Sequence, residues 1–348
     1  MDRRFEFAQT RTSRIVLDVG AEAQLADLVS RLDPDGCVVV HDAGVAELAE
    51  RIAADLGARV ALPVAVGAGQ KRLEVIGQLA ERLHAADATR GTVLVGIGGG
   101  TTTDLVGFLA SIYLRGVPFV SCPTTTLAMC DAALGGKNGV DHCGLKNRLG
   151  TIRQPDLIVI DTDWLASLPD ELFREGLVEV VKKAAVLDAS CFEQLESLAP
   201  RLLARDNLST RAAIAMAIDM KMSVVVADER EGNRRRALNS GHTIGHALES
   251  LADGRLRHGF AVAMGLIAEC RAAPVDAEVT ERIRGLLAAL GAPTAIPPEL
   301  ADAGKLWELA RRDKKAMRGS VPIYVPRRIG EGHLVELHLR SMAAALQP

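Results

Sequence analysis

Short apolar runs alternate with amphipathic helical segments through the first half of this chain, and this order limits the possible folds more than any single residue does. The strand-like runs fall at residues 15–17, 37–40, 60–66, 93–97, 119–122 and 157–160. Helical spacing lies between them, at residues 22–32, 45–56, 72–85 and about 104–113. Parallel strands need a crossover connection, which is usually a helix. The alternation therefore predicts a parallel sheet covered by helices on both faces.

The second half of the chain differs, because helical spacing dominates it. Segments 171–186, 191–203, 210–226 and 278–290 carry apolar residues at helical intervals, and only 321–325 near the end is strand-like. A length of 348 residues is enough for two domains. We therefore expect an α/β, Rossmann-like N-terminal domain with a parallel sheet at residues 1–168. A mostly α-helical C-terminal domain is expected at residues 169–348.

Composition and charge exclude several classes of protein. Hydrophobic residues make up 48% of the chain and charged residues 24%, as in ordinary globular proteins. A net charge of −3 gives no electrostatic argument for binding nucleic acid or an anionic membrane. No apolar run approaches the roughly 18 residues of a membrane span, and the first residues lack the apolar core of a signal peptide. With six scattered cysteines and no CxxC pair, we expect a cytoplasmic protein.

Three of the eight histidines lie close together in the sequence, at His242, His246 and His258. Imidazoles four residues apart project from one face of a helix. Zinc and similar divalent metals bind such nitrogen ligands, so the group predicts a metal site. The alternative is that these are surface histidines or core histidines with satisfied hydrogen bonds, and the spacing alone leaves it open.

A glycine-rich turn, Gly98–Gly100, follows the fourth strand-like run and precedes a helix. Glycines there let a phosphate approach the backbone N–H groups at a helix N-terminus. The same residues also make tight turns, so this motif is a weak signal. Asp42, at the end of the second strand, could bind a ribose hydroxyl or could instead cap the next helix.

Further polar residues lie between and after the predicted strands. Asp131–Lys137 and Lys146-Asn147 combine glycines with lysines, which permits close approach to an anion. Glu179 and Lys182 are three residues apart on a predicted helix and share a face. The alternative for this last pair is a surface salt bridge worth well under ~1 kcal/mol.

On these motifs the chain resembles the sugar phosphate cyclases, and within them the 3-dehydroquinate synthases. The resemblance runs from about Asp42 to Lys315. The stretches that carry it are 98–105, 113–116, 123–125, 131–137, 144–147, 176–182, 239–246 and 313–315. It implies a dehydroquinate synthase-like fold. It also implies a cytoplasmic homodimer that acts in the shikimate pathway of aromatic amino acid biosynthesis.

The resemblance implies which residues bind the metal and the cofactor. Glu179, His242 and His258 would hold a divalent ion, zinc or cobalt, while His246 would face the substrate. A Glu-His-His set with open positions suits a catalytic metal. NAD would bind to the N-terminal domain through Asp42, Lys71, Gly99, Gly100, Thr101, Asp104, Thr124, Thr125 and Lys146.

The reaction implied is a carbon–oxygen lyase reaction on 3-deoxy-D-arabino-heptulosonate 7-phosphate, which yields 3-dehydroquinate. NAD oxidises the ring alcohol at C5, phosphate is eliminated, and the ketone is reduced again. Ring opening and an intramolecular aldol step then form the carbocycle. NAD is regenerated in each turnover, so there is no net oxidation.

Substrate-binding residues follow from the same resemblance. Lys221 and Arg235 would pair with the substrate carboxylate. Asp131 and Lys182 would contact ring hydroxyls, and Glu231 would accept a proton. The phosphate would be bound by His246, Lys137, Asn147, Lys314 with its neighbour Lys315, and Arg115 from a partner subunit.

The same resemblance bears on substrate choice. Cyclases that act on sedoheptulose 7-phosphate replace the equivalents of Arg235 and Asn239, so both residues favour an acidic substrate. Leaving Arg235 and Lys221 unpaired would cost about 3–5 kcal/mol. The expected preference over sedoheptulose 7-phosphate, which lacks a carboxylate, is therefore at least roughly a hundredfold.

Departures from the family pattern keep other functions open. Ala68 and Phe260 stand where the family usually has acids, and Thr103 and Asn138 replace a common Gly and a common Thr. Residues 146–150 are similar to the valiolone-forming cyclases. One alternative is therefore a specialised cyclase of secondary metabolism acting on sedoheptulose 7-phosphate or an amino analogue of the heptulosonate. A glycerol-dehydrogenase-like metal alcohol dehydrogenase is the other, although a simple polyol would not need the cluster of Lys, Arg and Asn.

Overall fold

A computed structural model describes residues 12–65, 67–143, 145–230, 232, 234–313 and 319–346. The chain divides into two compact units. The first contains Ala21–Pro123 and Gly136–Ile160. The second begins at Asp161 and also contains Leu17–Gly20 and Thr124–Gly135.

The strands are grouped in one large sheet and two hairpins. In chain order they are β1 (Arg14–Asp18), β2 (Gly36–Asp42), β3 (Val60–Val64), β4 (Thr92–Gly98), β5 (Phe119–Pro123), β6 (Lys137–His142), β7 (Leu145–Ile152), β8 (Leu157–Asp161), β9 (Ser320–Arg328) and β10 (Glu331–His338). The large sheet has the order β1-β8-β5-β4-β2-β3, and its central pairs are parallel. The predicted parallel sheet is therefore confirmed.

Helices fill the rest of both units. They are α1 (Leu25–Ser30), α2 (Ala46–Asp55), α3 (Leu73–Ala85), α4 (Gly100–Ile112), α5 (Asp170–Leu187), α6 (Ala189–Leu203), α7 (Asn207–Ala227), α8 (His242–Leu251), α9 (His258–Ala272), α10 (Ala277–Ala289), α11 (Ala303–Asp313) and α12 (Leu339–Ala345). Helices α5 to α12 make the second unit mostly helical, as expected. None of the described helices is long and apolar enough to span a membrane.

The order of the large sheet reverses between β2 and β4. From β2 the chain goes outward to β3, and it then returns to β4 on the other side and continues to β5. In open parallel sheets, ligands bind beyond the carboxyl ends of strands at such a switch point. Asp42 ends β2 and Gly98 ends β4, so both lie at this position.

Two hairpins were not predicted from the sequence. β6 and β7 pair antiparallel in the segment where the sequence pattern shows only glycines around lysines. The expectation of a single late strand at 321–325 was also wrong, because β9 extends over nine residues and pairs with β10. Apolar and polar residues alternate only weakly along β10, because the apolar Leu334 is exposed on the same side as Glu336. Val335 and Leu337 turn inward.

The packing of α8 determines which of its side chains are free for chemistry. Ile244, Ala247 and Leu248 are buried in the apolar core of the second unit. His242 and His246 lie on the remaining face and are only partly buried. The apolar face therefore fixes the helix, and both imidazoles are directed away from that core.

Candidate active site

One acidic side chain of α5 lies beside histidines from α8 and α9. Glu179 Oε1 is 3.7 Å from His242 Nε2 and 4.0 Å from His258 Nε2. Zinc binds nitrogen and oxygen ligands at about 2.0–2.2 Å, so two ligands of one ion lie no more than about 4.4 Å apart. The three side chains expected to bind a metal therefore have a spacing that fits a single divalent ion.

The environment of Glu179 also fits a cation. Its side chain is fully buried, and Oε1 accepts no hydrogen bond from any described residue. Oε2 lies 2.5 Å from Lys182 Nζ. A buried carboxylate oxygen without a partner is costly, and a metal ion would remove that cost. Lys182 is itself buried, so the alternative of a surface salt bridge is wrong.

Hydrogen bonds set the orientation of both histidine rings. His242 Nδ1 lies 3.2 Å from the Ser240 carbonyl oxygen, which can only accept, so Nδ1 carries the proton. His258 Nδ1 lies 3.3 Å from Glu249 Oε2. In both rings this leaves Nε2, the atom nearest Glu179, as the free lone pair for a metal.

The pKa values of these two imidazoles shift in opposite directions. Burial, and then the charge of Lys182, hold the pKa of His242 well below its usual value. Burial also opposes protonation of His258. The hydrogen bond that His258 donates to Glu249 and the charge of Glu179 outweigh this effect, and the pKa of His258 is raised. His242 is therefore a neutral ligand near pH 7.

His246 offers a second possible ligand set. One ring nitrogen from each of His242, His246 and His258 lies within 4.8 Å of the others. The ring centroid of His246 is 5.0 Å from that of His242. We favour the set with Glu179, because its Oε1 is buried without a hydrogen-bond donor and needs a cation.

Two further buried acids support the helices that carry the histidines, and sequence reasoning missed both. His242 and His258 are the first residues of α8 and α9, where the partial positive charge of a helix N-terminus opposes cation binding. Glu269 accepts hydrogen bonds from the Gly241 and Ile244 backbone N–H groups at 2.8 and 3.0 Å. Glu175 accepts one from Gly259 N–H at 3.1 Å. In the sequence, the signal that could have revealed Glu175 and Glu269 is the presence of an acidic residue within an apolar helical run.

A cluster of lysines surrounds Asp131. Its Oδ1 is 2.9 Å from Lys183 Nζ and 3.0 Å from Lys221 Nζ, and Lys221 also donates to the Asp131 carbonyl at 2.7 Å. Burial opposes ionisation of Asp131, but the charges of Lys183 and Lys221 outweigh it and hold its pKa well below the usual value. Burial lowers the pKa of Lys221 to about 8. Asp131 is therefore an ionised acceptor at neutral pH.

Lys183 is the residue of this cluster that sequence reasoning missed. Its side chain is fully buried, and Nζ donates to the carbonyl oxygens of Cys130 and Glu179 at 3.1 and 3.3 Å. The charge of Asp131 raises its pKa although burial opposes this. A second lysine in an apolar helical stretch, four residues after Glu179, was the signal.

Arg235 and Lys221 are not left without partners, and this corrects one expectation. Arg235 is 2% exposed, and its Nη1 and Nη2 donate to the carbonyl oxygens of Glu229 and Gly135 at 2.7 and 2.9 Å. Lys221 pairs with Asp131. The premise that both cations would be unpaired without a substrate carboxylate is therefore wrong, and the hundredfold preference does not follow from it.

The charges of this cluster do not balance. Among the described residues, the three buried lysines Lys182, Lys183 and Lys221 form ion pairs with two carboxylates, Asp131 and Glu179. A divalent ion at the histidines would increase the positive excess. The second unit therefore offers a site for a ligand with several negative charges.

In the first unit, the switch point carries the predicted nucleotide residues. Asp42 Oδ1 accepts a hydrogen bond from Gly44 N–H at 2.8 Å, so it does cap the short turn after β2. A Cβ at Gly98 would lie 2.8 Å from Thr102 and 2.9 Å from Asp42. Gly99 and Gly100 begin α4, four residues earlier than predicted, because Thr103 N–H bonds back to the Gly99 carbonyl at 3.0 Å.

Lys71 joins two of the other expected residues. Its Nζ is 2.5 Å from Asp104 Oδ2 and also donates to Asn147 Oδ1. Lys71 and Asp104 were expected to bind NAD and Asn147 to bind phosphate, so the structure brings both sets together in the first unit. Thr101 is half-buried in the first turn of α4.

The remaining candidates are dispersed. Thr124 is buried after β5, and Thr125 Oγ1 accepts from Ala128 N–H at 3.2 Å. Asn239 is half-buried in the short helical turn Arg234–Asn239. Lys137 on β6 and Lys146 on β7 are exposed, and so is Arg115, which ends the short helical turn after α4. Glu231 and Lys314 lie outside the described residues.

Two local features concern Asn138, one of the departures from the family pattern, and the backbone at Arg115. Asn138 donates from Nδ2 to the Gly136 and Arg153 carbonyl oxygens at 3.0 and 2.9 Å, so its side chain ties together the two chain ends of the β6–β7 hairpin.

Arg115 has a φ of 69° and follows Leu114 with a φ of 47°. Such backbone strain in residues other than glycine is concentrated at functional sites.

Sequence comparison identifies relatives along most of the chain. The family model of the 3-dehydroquinate synthase N-terminal region matches residues 61–175, and that of the C-terminal region matches residues 176–316. A 3-dehydroquinate synthase of Saccharolobus solfataricus is 35% identical over 338 residues, 94% of each chain. One of Thermosynechococcus vestitus is 40% identical over 284 residues, 79% of this chain and 77% of the relative.

Solved structures share the fold. ValA, the 2-epi-5-epi-valiolone synthase of Streptomyces hygroscopicus subsp. jinggangensis 5008 with NAD+ and Zn2+ bound, has a TM-score of 0.89 and 27% identity over 99% of this chain and 98% of that chain. A 2-deoxy-scyllo-inosose synthase complexed with carbaglucose-6-phosphate, NAD+ and Co2+ has a TM-score of 0.83 over 96% and 95%. At 23% identity the second similarity shows the fold alone.

Proposed function

Because this chain belongs to the 3-dehydroquinate synthase family, we propose that it converts 3-deoxy-D-arabino-heptulosonate 7-phosphate to 3-dehydroquinate and phosphate. The enzyme is a phosphate-eliminating carbon–oxygen lyase. The observation that carries the proposal is the Glu179–His242–His258 group in the same unit as a cluster with excess positive charge. Such a combination suits a polyanionic substrate whose oxygens must also be polarised.

NAD and a divalent metal ion are the cofactors of this reaction. When bound, NAD supplies reversible hydride transfer and the metal, zinc or cobalt, polarises substrate oxygens. Glu179, His242 and His258 would hold the ion. The NAD residues are Asp42, Lys71, Gly99, Gly100, Thr101, Asp104, Thr124, Thr125 and Lys146. We assign NAD binding to the N-terminal domain and metal binding to the helical domain.

The residues around the proposed metal site have separate roles toward the substrate. Lys182 Nζ, held by Glu179 and by the Leu238 carbonyl at 2.5 Å, is positioned to donate to a ring oxygen. The Asp131 carboxylate can accept a hydrogen bond from a ring hydroxyl. Partly buried His246 can hold or release a proton at a ring nitrogen.

The substrate anions would be bound by cationic and polar side chains. Lys221 and Arg235 attract the carboxylate, and Asn239 lies close to Arg235 in sequence. Phosphate contacts are assigned to Arg115, Lys137, Asn147, His246 and Lys314. Proton acceptance is assigned to Glu231.

A specialised cyclase is the second candidate, and two observations favour it. ValA, which its name describes as a valiolone synthase, is similar over nearly the whole chain. In addition, main-chain carbonyls already bind Arg235, so a substrate without a carboxylate would not leave its guanidinium bare. Sedoheptulose 7-phosphate or an amino analogue of the heptulosonate would be its substrate.

The proposal is tested with the purified protein, NAD+ and Co2+ or Zn2+. We expect phosphate release from the heptulosonate phosphate, formation of 3-dehydroquinate and no accumulation of NADH absorbance. Chelation should stop the reaction, and re-addition of metal should restore it. NADH accumulation with glycerol, without phosphate release from any sugar phosphate, would instead establish a metal alcohol dehydrogenase.

We also propose that the enzyme is a homodimer located in the cytoplasm, where it would serve the shikimate pathway. The basis for the dimer is the assignment of Arg115 to the phosphate site of a partner subunit. Sedimentation analysis tests it directly, and a monomer at micromolar concentration would exclude that assignment.

A further inference from the structure

Glu249 shares a helical face with the histidines of α8. It follows His242 by seven residues and His246 by three, spacings that return to the same side of an α-helix. Its side chain is 16% exposed. Because α8 buries its opposite face in the apolar core, the carboxylate of Glu249 is held on the side of the imidazoles.

This carboxylate contacts a histidine of the neighbouring helix. Glu249 Oε2 lies 3.3 Å from His258 Nδ1 at the first residue of α9. The other ring nitrogen of His258, Nε2, lies 4.0 Å from Glu179 Oε1. The imidazole of His258 is therefore held between two carboxylates, one at each nitrogen.

We propose that Glu249 is a positioning residue for the metal, which fixes the tautomer and the ring orientation of His258. This inference rests on the proposed Glu179–His242–His258 site. A carboxylate can only accept from Nδ1–H, so Nε2 keeps its lone pair and points it toward Glu179. A histidine ligand that donates its other N–H to a carboxylate is oriented and made more basic.

The two proposed histidine ligands differ in the charge of the group that accepts the hydrogen bond from Nδ1. His242 donates from Nδ1 to the neutral carbonyl of Ser240, whereas His258 donates to an anion. Other acids near the start of α9 have different tasks, since Glu175 accepts from Gly259 N–H and Glu171 pairs with Arg257. Glu249 therefore supplies the charged acceptor for His258.

The test compares the Co2+ and Zn2+ affinities of the purified full-length protein, measured by competition with a chelating dye. Loss of an outer partner of this kind usually weakens metal binding by about 10- to 100-fold. We expect Glu249→Ala to raise the Kd by that factor. Glu249→Gln, whose amide oxygen still accepts a hydrogen bond, should raise it less, with the order wild type, Gln, Ala.

Glu171→Gln is the matched control, because it also removes a negative charge, here from the first turn of α5, where Glu171 is 66% exposed and pairs with Arg257. Its Kd should equal that of the wild type. Unfolding of the metal-free proteins should be alike for wild type and Glu249→Gln, which separates a positioning role from a structural one. The d–d absorption of bound Co2+ should change in Glu249→Ala and not in Glu171→Gln.

Failure of this inference can be told apart from failure of the metal site itself. Wild-type affinity and an unchanged Co2+ spectrum in both Glu249 variants would overturn the role of Glu249. If His258→Ala binds Co2+ as tightly as the wild type, His258 is not a ligand, and the proposed site is overturned together with this inference.

Discussion

Lys183 is a buried ammonium group that joins three parts of the second unit. It pairs with Asp131 and donates to the carbonyl oxygens of Cys130 and Glu179. Removing one partner of a buried ion pair leaves the other charge uncompensated, which costs about 3–5 kcal/mol. Because Lys221 would still pair with Asp131, we expect Lys183→Met to lower the free energy of unfolding by about 3 kcal/mol, near the lower end of that range.

Urea denaturation measures this change. Lys305→Met is the control, because Lys305 is 68% exposed and its Nζ lies 3.4 Å from Asp302, the residue before α11. An exposed pair of that kind contributes below about 1 kcal/mol. Equal unfolding midpoints for Lys183→Met and Lys305→Met would contradict the structural importance of Lys183.

The charge state of Lys221 predicts a pH dependence. Burial lowers its pKa to about 8, so the ammonium form predominates below pH 8 and is lost above it. Because this cation is assigned to the substrate carboxylate, kcat/KM for an acidic substrate should fall as the pH rises above about 8. In Lys221→Met that alkaline decrease should be absent from an already low kcat/KM. A decrease of the same shape in both proteins would assign it to another group.

At the scale of elements, the two helices that carry the proposed histidine ligands, α8 and α9, meet through glycines. A Cβ on Gly265 of α9 would lie 2.2 Å from the Gly241 carbonyl oxygen and 2.6 Å from Gly245 N of α8. Both contacts are backbone atoms, so one helix would have to move. Gly265→Ala should therefore cost about 1–3 kcal/mol of stability. It should also displace His242 and weaken Co2+ binding.

Gly285→Ala in α10 is the matched control. Nothing lies within 4 Å of a Cβ at this exposed helical position. There, alanine should stabilise the protein by about 0.5–1 kcal/mol. Thermal unfolding of both variants tests the expected stability changes, and Co2+ titration tests the expected loss of metal affinity. Unchanged metal affinity in Gly265→Ala would show that close α8–α9 packing does not set the ligand geometry.

Helices and buried strands were predictable from local patterns, and the hairpins were not. The apolar residues located α5 to within one residue at each end, although residues 175–186 of that helix are buried on every side. The β6–β7 hairpin has mostly exposed residues in β7, so no apolar alternation reveals it. The late strand β10 was hidden for another reason, because the exposed Leu334 breaks its alternation of apolar and polar residues.

Site residues were predictable only where a motif records them. The resemblance implied Glu179 and His258 as metal ligands, and the structure brings their side chains to 4.0 Å of each other. It did not identify Lys183, Glu249 or Glu269, whose tasks depend on partners from other elements of the fold. Glu269, for example, caps α8 from a position more than 20 residues later in the chain.

At the scale of the whole molecule, metal binding should be linked to stability. A ligand that binds only the folded protein stabilises it by about 2.7 kcal/mol at a hundred times its Kd. Zn2+ or Co2+ should therefore raise the unfolding temperature of the wild type and leave that of His258→Ala unchanged. His84→Ala, an exposed histidine on α3, should respond as the wild type does. A metal-induced shift of equal size in His258→Ala would exclude this histidine as a ligand.

That the enzyme is a cyclase with a preference for an acidic sugar phosphate is tested most directly by comparing kcat/KM for 3-deoxy-D-arabino-heptulosonate 7-phosphate with kcat/KM for sedoheptulose 7-phosphate. A charge-assisted hydrogen bond contributes about 1.5–3 kcal/mol. With NAD+ and Co2+ present, we therefore predict a preference on the order of ten- to a hundredfold for the heptulosonate. Equal rates, or phosphate release from sedoheptulose 7-phosphate alone, would contradict the claim and establish a specialised cyclase.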